Sequence, residues 1–218
     1  MTGFAIKELW NNGSKDEWKK ALDKYWEMPS VQRNLELENE MNELHLSENL
    51  DKIRKMNGKE FHEFLYNKYF VWKYTAHNRL ETTRKQLGKQ SYDELQGIKD
   101  SLFVLYENIP EDLELLLVDV QRIKGLGVAG GSGLLSLLFP ELFGTVDQFL
   151  VDSLCEISGS MTEEKRDYLC NIKKESIKLE EGVFLEKILQ EKACELNERF
   201  GNKEWTPRKI DMILWSYR

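Results

Sequence analysis

Helical periodicity is the feature of this 218-residue chain that most restricts its fold. Apolar residues recur at intervals of three and four, which places them on one face of an α-helix, and no segment shows a convincing strand alternation. Three Ser-x-x-Glu sequences, starting at Ser14, Ser91 and Ser160, match the capping box that satisfies the free amides of a helix start. Thr206 followed by Pro207 indicates a fourth start, because proline at the first helical position costs no hydrogen bond. The sequence therefore predicts an all-α fold.

The predicted helices cover most of the chain and are joined by short connections. They span residues 15–27, 31–44, 47–56, 59–88, 91–107, 110–122, 130–139, 146–157, 162–179, 183–199 and 207–216. No long linker, repeat or low-complexity block separates them. We therefore predict a single all-helical domain, a helical bundle spanning residues 1–218.

Charge is distributed unevenly along the chain. The net charge of −7 argues against a protein that coats nucleic acid without specificity, because phosphate binding depends on clustered Lys and Arg. Residues 66–90 nevertheless carry a net charge of +5, whereas residues 91–120 carry −7. A local basic surface is therefore compatible with an acidic protein.

The cysteines and the N-terminus bear on the cellular environment. The three cysteines, Cys155, Cys170 and Cys194, are odd in number and lack C-x-x-C spacing, so they indicate neither a disulfide framework nor a zinc or iron–sulfur site. No long apolar stretch follows the N-terminus, and the longest apolar run stops at Pro140. We expect a cytoplasmic protein with no membrane span, no metal and no cofactor.

A glycine-rich stretch is the most informative segment. Five of the nine residues from Gly125 to Gly133 are glycines, and a helical sequence follows. A tight Gly-x-Gly turn that enters a helix presents free amides at the positive end of the helix dipole, which favours an anion such as a phosphate. Gly125, Gly127 and Gly130 also satisfy G-x-G-x-x-G, with Asp147 as a possible ribose ligand. The surrounding chain, however, offers no set of parallel strands for a dinucleotide fold.

The order of elements after the glycines suggests another interpretation. The sequence Ile123-Lys124-Gly125-Leu126-Gly127 forms the predicted hairpin, a helix ends at Phe139-Pro140, and Val146-Asp147 opens the next helix, 22 positions after Gly125. This arrangement over about residues 113–157 resembles the helix-hairpin-helix DNA glycosylase superfamily, whose catalytic aspartate lies in a Val-Asp dipeptide. The rest of the chain resembles that superfamily only in being helical and of similar size.

The resemblance implies a function and assigns roles to residues. A damaged or mispaired base would be flipped out of double-stranded DNA, and ionised Asp147 would stabilise the cationic sugar or orient the attacking water. The backbone phosphate would be bound by the hairpin and the helix start that follows: Lys124, Gly125, Leu126, Gly127, Ala129 and Gly130. A base-excision repair enzyme of this kind would be nucleoid-associated.

This sequence departs from the superfamily pattern at several positions. Lys124 replaces the usual proline, and Gly130 with Gly131 replaces the usual Thr-Ala pair. The four-cysteine iron–sulfur loop of some members is missing. Ala129 occupies the position of the nucleophilic lysine of lyase-competent members, which implies a monofunctional glycosylase that leaves an abasic site uncut.

A second candidate region lies within the predicted helix 59–88. Aromatic, titratable and cationic residues share one face there: Phe70, Lys73, His77, Glu81 and Arg84. They fit either a solvated face with helical ion pairs or a wall of a nucleic-acid groove. Tyr74, next to Lys73, is a candidate for the lining of a base pocket.

Asp147 has an alternative role, and the protein has alternative functions, that fit the same sequence. Asp147 also fits an ordinary helix N-cap. A non-catalytic relative that binds DNA structures, and a helical nucleotide-binding, phosphate-binding or protein-interaction domain, are the alternatives to a glycosylase.

Overall fold

Side-chain caps begin several helices of the computed structural model, which describes residues 3–157 and 161–217, apart from the side chains of residues 3–5. Ser14 and Ser91 form complete capping boxes, as predicted. Thr206 also caps the last helix as predicted, since its hydroxyl accepts a hydrogen bond from the amide of Lys209 at 3.3 Å. The box predicted at Ser160 lies outside the described residues.

The described residues contain helices and no strands, so the all-α prediction is confirmed. The helices are α1 Gly3–Asn12, α2 Lys15–Glu27, α3 Pro29–Gln32, α4 Leu35–Asn42, α5 Ser47–Lys55, α6 Gly58–Phe64, α7 Phe70–Lys73, α8 His77–Leu87, α9 Tyr92–Asn108, α10 Leu113–Val120, α11 Val128–Leu138, α12 Gln148–Ile157, α13 Glu163–Cys170, α14 Leu179–Phe200 and α15 Pro207–Ser216. A π-helical segment, Leu65–Tyr69, joins α6 to α7. None of the helices in these described ranges combines the length and apolar character that a membrane span requires.

The prediction of one continuous helix over residues 59–88 is wrong. The helix passes through the π segment and ends at Lys73, because Tyr74 adopts an extended backbone with ψ of 96°. Two contacts accompany the interruption. Tyr74 packs against α11, and Arg84 donates two hydrogen bonds, of 3.1 and 3.0 Å, to the carbonyl oxygen of Tyr66. Lys73 and His77 therefore do not lie on successive turns of one helix.

Other predicted bounds also differ from the structure. The predicted helix 162–179 ends at Cys170, and the next helix begins at Leu179 instead of at residue 183. The predicted helix 31–44 is divided into α3 and α4, and α1 was not predicted. The helices formed by segments 162–179 and 31–44 are shorter than their apolar periodicity predicted, because tertiary contacts override local propensity.

Helix α11 lies at the centre of the molecule. Every residue in it except Ala129 is buried. Leu134 belongs to a core cluster formed mainly by α6, α9 and α10, whereas Val128 belongs to a second cluster formed mainly by α12, α14 and α15. A helix that is apolar on all sides must be covered on all sides, so α11 joins the two clusters into one compact body.

Candidate functional site

The turn between α10 and α11 has the glycine geometry that its sequence predicts. Gly125 has a φ of +101°, and a Cβ atom there would lie 2.9 Å from the carbonyl oxygen of Thr83. Gln90 supports the turn from outside, since its side chain accepts a hydrogen bond of 2.9 Å from the amide of Lys124 and donates one of 2.8 Å to the carbonyl of Arg122. Both the positive φ and the close approach require glycine at position 125.

The start of α11 is open to an approaching group. Gly127 is the N-cap and makes no side-chain capping bond, and a Cβ atom there would meet nothing within 4 Å. Lys124 is exposed beside it, and its ammonium donates to the carbonyl of Lys89 at 2.9 Å. The helix dipole and the adjacent cation both favour an anion at this position.

The next glycines lie inside the protein. A Cβ atom at Gly130 would lie 2.5 Å from the hydroxyl oxygen of Tyr74, and one at Gly133 would lie 2.8 Å from that of Tyr69. Tyr69 also donates a short hydrogen bond to the carbonyl oxygen of Gly130. Gly130 and Gly133 therefore allow aromatic side chains to approach α11 closely, and Leu126 is buried beside them. Of the residues predicted to bind DNA, Lys124 and Gly127 are exposed, Gly125 and Ala129 are half-buried, and Leu126 and Gly130 are buried.

The structure brings together only part of the predicted groove set, since the rings of Phe70 and Tyr74 contact each other with centroids 5.9 Å apart. Phe70 is fully buried, Tyr74 is half-buried against α11, and His77 is exposed after the helix interruption. Arg84 stacks on the ring of Tyr66, with its guanidinium carbon 4.3 Å from the ring centroid. A continuous groove wall along one helix is therefore excluded by the break at Tyr74.

Lys73 is the predicted groove residue that reaches Asp147. Its ammonium lies 3.7 Å from Oδ2 of Asp147, and its side chain is only 11% exposed. The stem of Lys73 passes over α11, since its Cδ and Cε atoms would each lie 3.3 Å from a Cβ at Gly133. Burial lowers the pKa of Lys73, whereas the carboxylates of Asp147 and Asp211 oppose that shift.

Asp147 caps the helix that follows it. Its Oδ1 atom accepts hydrogen bonds from the amides of Phe149 at 2.9 Å and Leu150 at 3.2 Å. The capping interpretation of Asp147 is thus correct as a description of its local geometry. The Asp147 side chain keeps 24% exposure, so part of it remains accessible to solvent.

Three consecutive amides hold the loop before Asp147, and each donates to a buried side chain of a different helix. The amide of Gly144 donates to Glu186 of α14 at 2.8 Å. The amide of Thr145 donates to Asp211 of α15 at 3.0 Å, and that of Val146 donates to Ser132 of α11 at 3.0 Å. We refer to residues 144–146 as the amide strap. Because buried amides need partners, these bonds fix the position at which the chain reaches Asp147.

The buried guanidinium of Arg208 supports the amide strap through Asp211, which accepts the bond from the amide of Thr145. Arg208 forms an ion pair with Asp211 at 2.6 Å and donates to Asn42 Oδ1 at 3.1 and 3.2 Å. Glu38 approaches the same guanidinium at 3.8 Å and also accepts a bond of 2.8 Å from the indole of Trp72. Burial raises the pKa of Asp211, and Arg208 opposes that shift.

Glu186 forms no ion pair with a cation in the described part of the chain. Its side chain is fully buried, and its Oε1 atom has no hydrogen-bond partner among the described residues. Burial holds the pKa of Glu186 well above its usual range, although the amide of Gly144 lowers it. A carboxyl group in this position favours its neutral form.

Sequence reasoning missed the residues that support Asp147. Ser132, Glu186, Arg208 and Asp211 were not singled out, although two signals were present. Glu186 interrupts the apolar face of α14, and Arg208 with Asp211 lies three residues apart on an otherwise apolar face of α15. Buried charges of this kind are rare without a partner, so such interruptions are a useful search pattern.

No group of three or more histidine, cysteine or acidic side chains that could hold a metal ion occurs in the described parts of the chain. Comparison of the chain with protein-family models, with curated proteins and with solved structures finds no match.

Proposed function

We propose that this protein binds damaged or distorted double-stranded DNA through a helix-hairpin-helix formed by α10, the turn at Gly125–Gly127 and α11. We further propose that it acts as a monofunctional DNA N-glycosylase with Asp147 as its catalytic residue. The proposal extends the resemblance of residues 113–157 to the whole chain.

The observation that carries the proposal is the linkage of the turn and Asp147 through one helix. Gly127 opens α11, and Ser132, five residues later, accepts the hydrogen bond from the amide of Val146. Asp147 is the next residue, so the buried helix α11 connects the turn directly to the loop that positions Asp147. A phosphate bound at Gly127 would therefore lie at a fixed distance from the carboxylate, as excision beside that phosphate requires.

The chemistry proposed for the site needs a carboxylate that stays ionised. Breaking an N-glycosidic bond develops positive charge on the sugar, which a nearby carboxylate stabilises. Lys73 places a positive charge 3.7 Å from Oδ2 of Asp147, where it can act as the counter-charge of the carboxylate. Water then adds to the sugar carbon, the base leaves, and an abasic site remains.

Ala129 supports the monofunctional assignment, because the position of the family's nucleophilic lysine carries no amine. Lys73 is the amine that lies closest to Asp147 among the contacts described above, and we assign it the role of counter-charge. Borohydride trapping tests this assignment. No covalent protein–DNA adduct is expected, and an adduct that disappears in the Lys73→Gln variant would show that the enzyme is bifunctional.

A second candidate function is the binding of DNA structures without catalysis. The observation that favours it is the engagement of both carboxylate oxygens of Asp147, one by the amides of α12 and the other by Lys73. In that case Asp147 would serve only as a helix cap and ion-pair partner.

The Asp147→Asn variant separates the two candidates. Asparagine is also a good N-cap, so the fold should persist. Base release from duplexes that each carry a different damaged or mispaired base should be lost in the glycosylase, while DNA affinity changes little. The matched control is Asp152→Asn on the same helix, where the carboxylate is exposed and pairs with Lys174. If wild-type protein binds the duplexes but releases no base from any of them, the non-catalytic function is correct.

A further inference from the structure

Two cysteine sulfurs meet on the side of the molecule where α12 packs against α13. The Sγ atoms of Cys155 and Cys170 lie 3.1 Å apart, although 15 positions separate the residues in sequence. Cys155 lies in the last turn of α12, and Cys170 is the final residue of α13. A disulfide requires a sulfur separation of about 2.05 Å, so a shift of roughly 1 Å would join them.

The two thiols differ in exposure. Cys170 is exposed, whereas Cys155 is half-buried beside a cavity of about 420 Å³ that is also lined by Phe149 and Ser153. Burial and the neighbouring Cys170 raise the pKa of Cys155 to about 12. Cys155 therefore stays a thiol at neutral pH, and it is Cys170 that a dissolved oxidant meets first.

We infer that Cys155 and Cys170 form a redox site that hydrogen peroxide converts into a disulfide, and that reduction by a small thiol reverses it. The Cys170 thiol gives up its proton as its sulfur attacks one peroxide oxygen, which forms a sulfenic acid on Cys170, and the released hydroxide takes up that proton as water. The sulfur of Cys155 then attacks the sulfenic sulfur, and the Cys155 proton leaves with the sulfenic hydroxyl group as water. In total, two thiols and one peroxide give one disulfide and two waters.

The bridge would act on α12, the helix that Asp147 caps. It ties the last turn of α12 to the end of α13, whereas the first turn of α12 is held by the Asp147 cap. An added covalent link of this kind restricts the unfolded chain and stabilises the folded one. The inference does not depend on the proposed glycosylase activity, since thiol chemistry and thermal stability report on it directly.

Cys194 provides the matched control. It is exposed on α14, and its thiol lies 3.6 Å from Oε1 of Glu198, whose charge raises the pKa of Cys194. An exposed cysteine without a neighbouring sulfur among its described contacts cannot form an internal disulfide, so it should remain reduced.

The experiment treats reduced protein with one equivalent of hydrogen peroxide and counts thiols after denaturation. The count should fall from three to one, and peptide mapping without reductant should show the Cys155 and Cys170 peptides linked. The midpoint of thermal unfolding should rise by roughly 5–10 °C and return after dithiothreitol. The Cys194→Ser variant should keep all of these changes, and Cys155→Ser and Cys170→Ser should each lose the cross-link.

A separate experiment tests whether Cys170 is oxidised to a sulfenic acid before Cys155 attacks it. Dimedone, which captures sulfenic acids, should label Cys170 in the Cys155→Ser variant and should not label Cys155 in the Cys170→Ser variant. The inference is overturned if three thiols survive peroxide, if the linked peptides include Cys194, or if Cys170 accumulates as sulfinic acid while Cys155 stays reduced.

Discussion

The ammonium of Lys73 lies 3.7 Å from Oδ2 of Asp147 and connects the end of α7 to the start of α12. This relationship depends on the helix interruption at Tyr74, because Lys73 is the last residue of its helix. The Lys73 side chain passes close to Gly133, where the lack of a side chain leaves room for the lysine methylene groups. Asp147 is thus held by an ion pair from one side and by the amide strap, residues 144–146, from the other.

Replacing Lys73 by glutamine tests the role of the counter-charge. We expect base release to slow by about tenfold, which corresponds to a loss of roughly 1.4 kcal/mol in transition-state stabilisation. The midpoint of thermal unfolding should change little, because the variant also removes the cost of burying an ammonium. Lys68→Gln, at an exposed lysine that pairs with Glu40, is the control and should leave the rate unchanged. Equal rates for wild type and Lys73→Gln would contradict this role.

Glu186 predicts a dependence of stability on pH. Its pKa is higher in the folded than in the unfolded protein, so the folded state retains the proton over that interval. Stability should therefore fall as pH rises from about 4.5 through the folded pKa, with a slope of up to about 1.4 kcal/mol per pH unit from this one group. Glu186→Gln should remove that part of the slope and stabilise the protein at pH 8, as measured by urea unfolding across pH.

Glu191→Gln supplies the comparison for Glu186, since Glu191 is exposed on the same helix and pairs with Lys165. It should leave the pH profile almost unchanged. A Glu186→Gln protein whose profile matches wild type would show that the buried carboxyl does not retain its proton.

Arg208 should be essential for stability. Arg208→Met leaves the buried carboxylate of Asp211 without its cation, and breaking a buried ion pair in this way costs about 3–5 kcal/mol. The double variant Arg208→Met with Asp211→Asn should recover part of that loss, because the stranded charge is gone. A double-mutant cycle by urea unfolding measures the coupling. Additive effects of the two single substitutions would contradict an energetic link between the two side chains.

Replacement of glycine by alanine should change stability in opposite directions at Gly133 in α11 and at Gly97 in α9. Gly133→Ala places a methyl group 2.8 Å from the hydroxyl of Tyr69 and 3.3 Å from the stem of Lys73, so it should destabilise the protein. Gly97→Ala, in the exposed middle of α9, meets nothing within 4 Å and should stabilise it by up to about 1 kcal/mol through helix propensity. Thermal unfolding of both variants tests the pair, and stabilisation by Gly133→Ala would show that α11 tolerates a looser packing.

Local sequence signals predicted the parts of the fold that local physics decides. The boxes at Ser14 and Ser91, and the start at Thr206, form as predicted because each is closed within three residues. The glycines also predicted a tight turn, and the structure adds that Gly125 within it has a positive φ. Asp147 was correctly predicted to lie at a helix start.

The remaining features depend on contacts between distant segments. The helix end at Lys73 accompanies the packing of Tyr74 against α11, which periodicity within residues 59–88 does not encode. Likewise, the partners of the amide strap come from residues as far away as Asp211, 66 positions from Thr145. The charged residues can be read from a single sequence, but which of them pair in the folded protein cannot.

The most direct test of the proposed function is lesion-dependent DNA binding. The affinity of the purified protein is measured at two salt concentrations for a duplex with an abasic-site analogue and for the same duplex undamaged. We predict clear preference for the lesion, an affinity that falls with salt because phosphates are bound, and loss of binding in Gly127→Asp, which places a carboxylate at the open start of α11. Equal and negligible binding to both duplexes would contradict the account and would direct attention to nucleotide or protein partners.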